Sequence, residues 1–293
     1  MTLPQQIQDW VQRQIGPIRT AVRLKSATST SVYRLAFADQ QTLILRVYDN
    51  NAWMVDEPDL PQHERAALNH AAGMALPVPR VIASDPDGTV CGIPVLLMSY
   101  LPGDVVLVPE DMDTWLAALA AGAAAVHQVD VGDFGWRYFP YHRLDALTVP
   151  EWTPNPANWQ RAIDVLRAGP PELPVSFIHR DYHPMNLLWQ DGQISGVVDW
   201  INACVGPAPV DSAHCRVNLA QMYGVEAAER FLAAYRAAGG VHHPYYDLAA
   251  VMDFGPGAVT IYPPWLDHGL DYLTDELCTW RVELFLEFVL ARL

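Results

Sequence analysis

Two carboxylates and one carboxamide, Asp181, Asn186 and Asp199, sit where apolar runs stop. The runs are Ser176-Phe-Ile178, Leu187-Leu-Trp189 and Gly196-Val-Val198. The stretch reads as strand, polar loop, short strand, turn, strand, acid. Oxygen ligands of this kind suit a hard divalent cation such as Mg2+. A carboxylate beside them can orient a hydroxyl group and accept its proton. The plainer reading is a β-hairpin with surface carboxylates and an Asn that caps a turn. The joint occurrence of all three groups next to apolar strands favours chemistry.

Such groups need a core to hold them in place. The chain has 293 residues, 51% hydrophobic and 17% charged, enough for one large or two modest globular domains. No apolar run approaches the roughly 20 residues of a membrane span. The start, Met1-Thr-Leu-Pro4, has no basic or apolar leader pattern, so a cytoplasmic protein is expected. Cys91, Cys204, Cys215 and Cys278 are scattered without a C-x-x-C, as for small reduced thiols inside a core. A net charge of −15 argues against nucleic acid as a partner. It fits an organic cation as substrate only weakly, an ordinary acidic surface being the readier reading.

The periodicity divides the chain. Residues 4–14 carry Ile7, Trp10 and Val11 at helical spacing. Runs at 21–25, 32–37 and 42–48 predict an antiparallel meander, followed by a polar stretch and a helix over 63–75. Two further strands are expected at 80–83 and 93–100. After Leu101-Pro-Gly103 the pattern turns helical, over 113–128, 158–168, 209–223, 225–238, 245–260 and 270–293. The segment 129–156 is rich in Pro and aromatic residues and is expected to wander over the surface. Gly255-Pro-Gly257 would kink or end its helix. Two lobes follow, 1–101 and 102–293, the second carrying the polar loop.

His179-Arg180-Asp181, with Asn186 five residues beyond the Asp, has the spacing H-R-D-x-x-x-x-N of a kinase catalytic loop. Phosphoryl transfer also needs positive groups on the phosphates and a place for the base. The hairpin at Ser26, Thr28, Ser29, Thr30 and Ser31 offers hydroxyls and backbone N–H groups, but no glycine. It is a phosphate loop or a plain hydroxyl-rich turn. Arg46 lies inside an apolar strand, either on phosphates or snorkelling to the surface. Glu64 opens the next helix, where it can pair with Arg46 or simply favour the helix N-terminus. Met98, Ser99, Tyr100 and Leu101 end a strand before Pro-Gly, as an adenine-binding hinge would. His179 reads as a buried strut, and Arg180 as a partner for an acid in the loop. His179 and His183 also raise a metal site, but no third soft ligand has the right spacing.

With these parts together, the chain resembles the aminoglycoside phosphotransferase family, small-molecule kinases of protein-kinase-like fold. The resemblance runs from about residue 20 to about residue 290, and its most specific part is residues 177–188 with Gly196-Val-Val-Asp-Trp200. The family shows H-x-D-x-x-x-x-N and then an I-D-W-like segment, where protein kinases have D-F-G. Pro207-Ala-Pro-Val-Asp211-Ser-Ala213 is similar to its G-D-P-x-x-D-L-A segment. Pro77-Val-Pro-Arg80 and Ala124-Ala-Val-His127 are further landmarks. The resemblance implies an α+β fold, with an N-terminal antiparallel sheet lobe carrying one main helix and a mostly helical C-terminal lobe. It implies that Asp181 is the catalytic aspartate and that Asn186 and Asp199 hold Mg2+. Arg46, paired with Glu64, would bind the nucleotide phosphates, and His179 and Asp211 would support the loop, Asp211 as a helix N-cap. The co-substrate would be ATP or GTP. The acceptor would be a small hydroxyl compound, first an aminoglycoside, with macrolides, choline, sugars and amino alcohols as rivals and antibiotic resistance as the associated role. Tyr223, Tyr262, Trp265, Asp267, Asp271 and Asp275 are candidates for the acceptor wall, the acids reading more readily as a solvated helix face. The other class of reading is a nucleotide-binding module without transfer, motivated by the glycine-poor hairpin.

Overall fold

Alternating burial in the first hundred residues builds a sheet with two different faces. The computed structural model describes residues 3–24, 30–255 and 257–293. Strands β1 (Ile18–Arg23), β2 (Ser31–Phe37), β3 (Thr42–Val47), β4 (Val81–Asp85) and β5 (Val95–Ser99) form one antiparallel sheet in the order β1-β2-β3-β5-β4. Side chains alternate across a strand. Val95 and Leu97 of β5 therefore pack with Leu35, Leu45 and helix α1 (Gln5–Gln14), through Ile7, Trp10 and Val11. Leu96 and Met98 face the other way and join Leu60 and Leu68. Those two leucines belong to the long helix of this part, for which a shorter one, α2 (Asn51–Asp56), prepares the entry. The polar stretch before residue 60 holds a helix that its sequence did not announce, where the Asn50 side chain accepts from the Trp53 N–H at 3.3 Å and caps α2. The long helix, α3 (Leu60–Ala71), starts three residues before the expected position.

The remaining residues are mostly helical. Helix α4 (Met112–His127) is capped by Asp111, and α5 (Pro156–Arg167) follows the irregular segment. Then come β6 (Val175–Ile178), β7 (Leu187–Gln190), β8 (Gln193–Val197) and β9 (Cys204–Pro207). Strands β7 and β8 make the expected hairpin. Strand β9 was not expected, and it pairs with β6 in the register Ile178↔Cys204. That pairing brings the end of β6, where the polar loop begins, against the start of α6 (Pro209–Tyr223). Helices α7 (Val225–Ala237), α8 (Pro244–Met252), α9 (Pro264–Asp267) and α10 (Asp275–Leu290) complete the bundle. Helix α8 stops at Met252 rather than near 260, with Gly255 at φ +70° just beyond. Helix α10 begins at Asp275 rather than 270, because the Thr274 hydroxyl accepts the Leu277 N–H at 3.1 Å. Buried Glu283 accepts from Trp159 Nε1 at 2.8 Å and from the Thr153 hydroxyl at 2.6 Å, tying α10 to α5.

The irregular segment 129–156 is not merely a surface excursion. The Tyr138 N–H donates to the Val205 carbonyl at 2.9 Å, and the Trp136 carbonyl accepts from the Val205 N–H at 2.8 Å. The segment is thereby docked along β9, which aims its aromatic residues at the polar loop. All four cysteines are buried and free. Among the described residues no helix is long and apolar enough to cross a membrane.

Candidate active site

The polar loop between β6 and β7 is held from underneath by a single carboxylate. Asp211, fully buried in the first turn of α6, accepts the His179 N–H at 2.8 Å and the Arg180 N–H at 2.6 Å. Its Oδ2 also meets His127 Nε2 at 3.0 Å, and the other nitrogen of His127 faces the Tyr235 hydroxyl at 2.7 Å. Asp211 is thus not the N-cap of α6, a position held by Ala208; it caps the loop instead. The arrangement has a purpose. Arg180 has φ +67°, a left-handed conformation that a non-glycine residue adopts at a cost of about 1 kcal/mol or more. Two charge-assisted hydrogen bonds at that point hold the turn. His179 is a strut, wholly buried, with Nε2 at 2.9 Å from the Val198 carbonyl. Tyr182 points down into the bundle and donates to the Leu119 carbonyl at 2.7 Å. It passes over Gly122 of α4, where a Cβ would collide with the tyrosine hydroxyl.

Asp181 emerges from this turn with its side chain 30% exposed. Asn186 Nδ2 donates to the Asp181 main-chain carbonyl at 2.8 Å and to Oδ2 at 3.1 Å. Oδ1 meets His214 Nε2 at 3.1 Å and His183 Nε2 at 3.5 Å. Burial alone would raise the carboxyl pKa, but His183 and His214 outweigh it and hold the group well below the usual range. Conversely, burial would lower His214, and Asp181 more than compensates, leaving it raised.

Arg46 joins the sheet to this loop. It sits in mid-β3, opposite Val32 on one side and Leu96 on the other, with the residue 7% exposed. Its Nε lies 3.1 Å from Glu64 Oε2 and its Nη2 2.8 Å from Asp199 Oδ1. Tyr48 donates to Glu64 Oε2 at 2.6 Å. Burial opposes the charge on Arg46, but Asp199 and Glu64 more than offset this and raise its pKa. Burial also pushes the Glu64 carboxyl up, against the pull of Arg46.

The expected nucleotide residues are only partly free. Arg46 Nη1 donates to the Thr30 hydroxyl at 3.2 Å, and both the N–H and the hydroxyl of Ser31 go to Asp49. Those two hydroxyls are bound inside the protein rather than presented to a phosphate. Ser26, Thr28 and Ser29 lie outside the described residues. At the strand end, Met98 is buried and the Ser99 N–H is taken by the Arg80 carbonyl at 2.9 Å. The backbones of Tyr100 and Leu101 make no hydrogen bond to another described residue, which leaves an open edge of donors and acceptors.

The residues present fit a hard cation. Asn186 turns its amide nitrogen toward Asp181, which leaves its oxygen for another partner. Asp199 follows β8 at φ +65° with its side chain 32% exposed, and only Oδ1 is engaged by Arg46. The Val198 N–H donates to the Asn186 carbonyl at 2.9 Å, so the two oxygen-bearing residues are held side by side.

A cavity opens on the other side of Asp181. Its walls include Tyr138, Tyr141 and Arg180, with Tyr246 and Asp253 from the α8 end and His214 from α6. None of Tyr223, Tyr262, Trp265, Asp267, Asp271 or Asp275 lines it. Trp265 is buried in the core, Tyr223 bonds to the Leu107 carbonyl, and Asp275 accepts the Ile261 N–H at 2.8 Å. Arg180 finds no acid in the loop. It donates to the Phe139 carbonyl at 2.7 Å and lies 4.1 Å from each of the Phe139 and Tyr141 ring centres. His214 is the main residue that sequence reading missed. It stands three residues after Asp211 on α6, so the two share a helix face.

An antiparallel sheet with one main helix, a mostly helical second part, and a polar loop between them define a protein-kinase-like phosphotransferase fold. The chain belongs to the phosphotransferase enzyme family called APH, whose family model matches residues 20–252. A homoserine kinase of Methylobacterium nodulans is 31% identical over 192 residues, which are 59% of this chain and 56% of the relative. The chain therefore matches a little over half the length of that curated relative. Among solved structures, a putative aminoglycoside phosphotransferase from Ralstonia eutropha has a TM-score of 0.68 at 18% identity, over 97% of each chain. A thermostable mutant of aminoglycoside phosphotransferase APH(4)-Ia, in ternary complex with AMP-PNP and hygromycin B, has a TM-score of 0.65 at 16% identity, covering 97% of this chain and 98% of that one.

Proposed function

We propose that this chain transfers the γ-phosphoryl group of ATP or GTP to a hydroxyl of a small molecule, with lobes that meet near residues 101 and 102. The observation that carries the reading is Asp181. It stands at a cavity wall, 3.1 Å from Asn186 on one side, while Asp199 beside Asn186 is held to Arg46 at 2.8 Å. Asn186 and Asp199 would hold Mg2+, which neutralises charge on the phosphates. Arg46, backed by Glu64, lies where it can bind those phosphates, and the open backbone of Tyr100 and Leu101 suits the base. Asp181 stays ionised through neutral pH, so its part is to orient the acceptor hydroxyl and take its proton late. Phosphoryl transfer through a loose transition state asks for positioning more than for a strong base.

The acceptor would be a hydroxyl compound bearing an ammonium group. Asp253, paired with His142 at 2.7 Å and 33% exposed at its side chain, supplies the carboxylate in the cavity. An aminoglycoside meets that description, and so does a hydroxy amino acid of the homoserine type, which the curated relative's name supports. The test is incubation with ATP or GTP, Mg2+ and each acceptor in turn, followed by mass analysis for one added phosphoryl group. Transfer should fall at least about a hundredfold in Asp181→Ala. An unchanged rate in that variant refutes the role given to Asp181. Nucleotide binding with no acceptor modified would leave the module without transfer.

A further inference from the structure

The sequence offers His183 close to Asp181 but no third ligand at metal-binding spacing; the fold supplies one. His214 comes from the first half of α6, and its Nε2 meets the same Asp181 oxygen that His183 faces. One ligand atom from each of the three residues lies within 4.8 Å of the others.

We propose that Asp181, His183 and His214 form a binding site for a borderline-soft divalent cation of the Zn2+ type, whose occupation withdraws Asp181 from the acceptor hydroxyl. The His214 contact lies at the long end of ordinary ion pairing and the His183 contact beyond it. Charge-assisted N–H···O contacts fall at about 2.7–2.9 Å. Elsewhere in this molecule His142 meets Asp253 at 2.7 Å, His242 meets Asp247 at 2.9 Å and His127 meets Asp211 at 3.0 Å. The two contacts on Asp181, 3.1 and 3.5 Å, are longer than all three. Ligands at about 2.0–2.1 Å from a tetrahedral Zn2+ are separated by about 3.3–3.4 Å, which those two distances bracket. The imidazole rings are 5.5 Å apart at 74°, so they approach the carboxylate from different directions. Asp181 and His214 line the cavity, and three protein ligands with a fourth position left to water or substrate is the arrangement of an accessible zinc site.

The donor set separates this site from the one that would hold Mg2+. Two imidazoles with one carboxylate select Zn2+, Cu2+ or Ni2+, whereas Mg2+ prefers oxygen and water. Asp181 Oδ2 is on Asn186, and Oδ1 is the atom offered to the two histidines. A cation there competes with the acceptor for Oδ1 and leaves the Arg46 side of the cleft untouched.

The binding half of this inference is independent of the proposed reaction; the inhibitory half rests on it. The full chain, freed of metal, is titrated with Co2+ as a visible-spectrum probe for Zn2+ geometry, in excess Mg2+. The expected result is one equivalent bound with tetrahedral absorption bands, displaced by Zn2+. His214→Ala and the more conservative His214→Gln should weaken binding at least about tenfold, from the loss of one of three ligands. His268→Ala, outside the cluster, should leave it unchanged. Each variant is checked by its melting curve. Absence of the bands, or equal binding by folded His214→Ala and His214→Gln, overturns the site. In the transfer assay, Zn2+ should raise the apparent KM for the acceptor without changing that for the nucleotide. A site that binds Co2+ in a chain that phosphorylates nothing would sink the proposed reaction and leave the site standing; inhibition competitive with nucleotide would overturn the link to Oδ1.

Discussion

Arg46 is the residue on which most of the cleft's charge turns. A guanidinium in the middle of an apolar strand is costly unless its charge is matched, and here Glu64 and Asp199 match it from two directions. Arg46→Ala leaves both carboxylates facing a buried gap. Breaking such a buried pair costs about 3–5 kcal/mol, so the urea midpoint should fall accordingly. Arg46→Lys keeps the charge but not the fork that reaches two acids at once, and should recover only part of the loss. If Arg46→Ala proved as stable as the parent, the pairing would not be what holds this strand to the loop. Thr30 shows the converse at the same scale: a hydroxyl that looks available in the sequence is already engaged by Arg46.

Among the elements, α6 does two jobs. Its first turn presents Asp211 to the loop, and one turn further on the same face presents His214 to Asp181. Asp211→Ala would leave the His179 and Arg180 N–H groups buried and unmet, at about 1–3 kcal/mol each. Melting should show that loss, and transfer should fall with it because Arg180 would no longer be held in its left-handed turn. Further along, α6 is locked to α8 by Arg216, whose Nε donates to Asp247 Oδ1 at 2.9 Å, while His242 meets Oδ2 at 2.9 Å. Burial alone would raise Asp247, but His242 and Arg216 outweigh it and lower its pKa. A depressed carboxyl contributes stability above its unfolded pKa of about 3.9 and loses it as pH falls through the folded value. The stability gap between the parent and Asp247→Asn should therefore be constant near neutrality and shrink only below about pH 4. Urea midpoints at pH 7, 5 and 3.5 would show this; a gap that closes already between pH 7 and 5 would contradict it.

For the molecule as a whole, several polar links join the sheet part to the helical part, among them Asp59 to Trp136, His63 to the Ala203 carbonyl and His70 to the Asp130 carbonyl, and Arg46 to Asp199 spans 153 residues of sequence. A nucleotide with Mg2+ that bridges both should stabilise the entire chain. At a hundred times its Kd the gain is about 2.7 kcal/mol, visible as a rise in Tm. Asp199→Ala should abolish most of that rise without needing any acceptor. A full shift in the variant would remove Asp199 from the metal site. The net charge of −15 acts at this scale too, favouring the approach of cationic solutes in low salt.

Much of the architecture was legible in the sequence because periodicity is local. Alternation over 32–37 and 42–47, helical spacing over 113–127 and 209–223, and the turn before Pro102-Gly103 need only neighbouring residues to be read. Asp181, Asn186 and Asp199 were legible for the same reason, lying within one short stretch. What the sequence determined was therefore the elements and the acidic loop. The tertiary structure decided what those residues touch. It placed Asp211 under the loop rather than at a helix cap, and it gave Arg180 aromatic rings in place of an acid. It also built the cavity from Tyr138, Tyr141, Tyr246 and Asp253 instead of Tyr223, Tyr262, Trp265, Asp267, Asp271 and Asp275. And it brought His214 onto the oxygen that His183 already faced. Each of these depends on contacts between segments tens of residues apart, which close only when the core packs and leave no period in the chain to read.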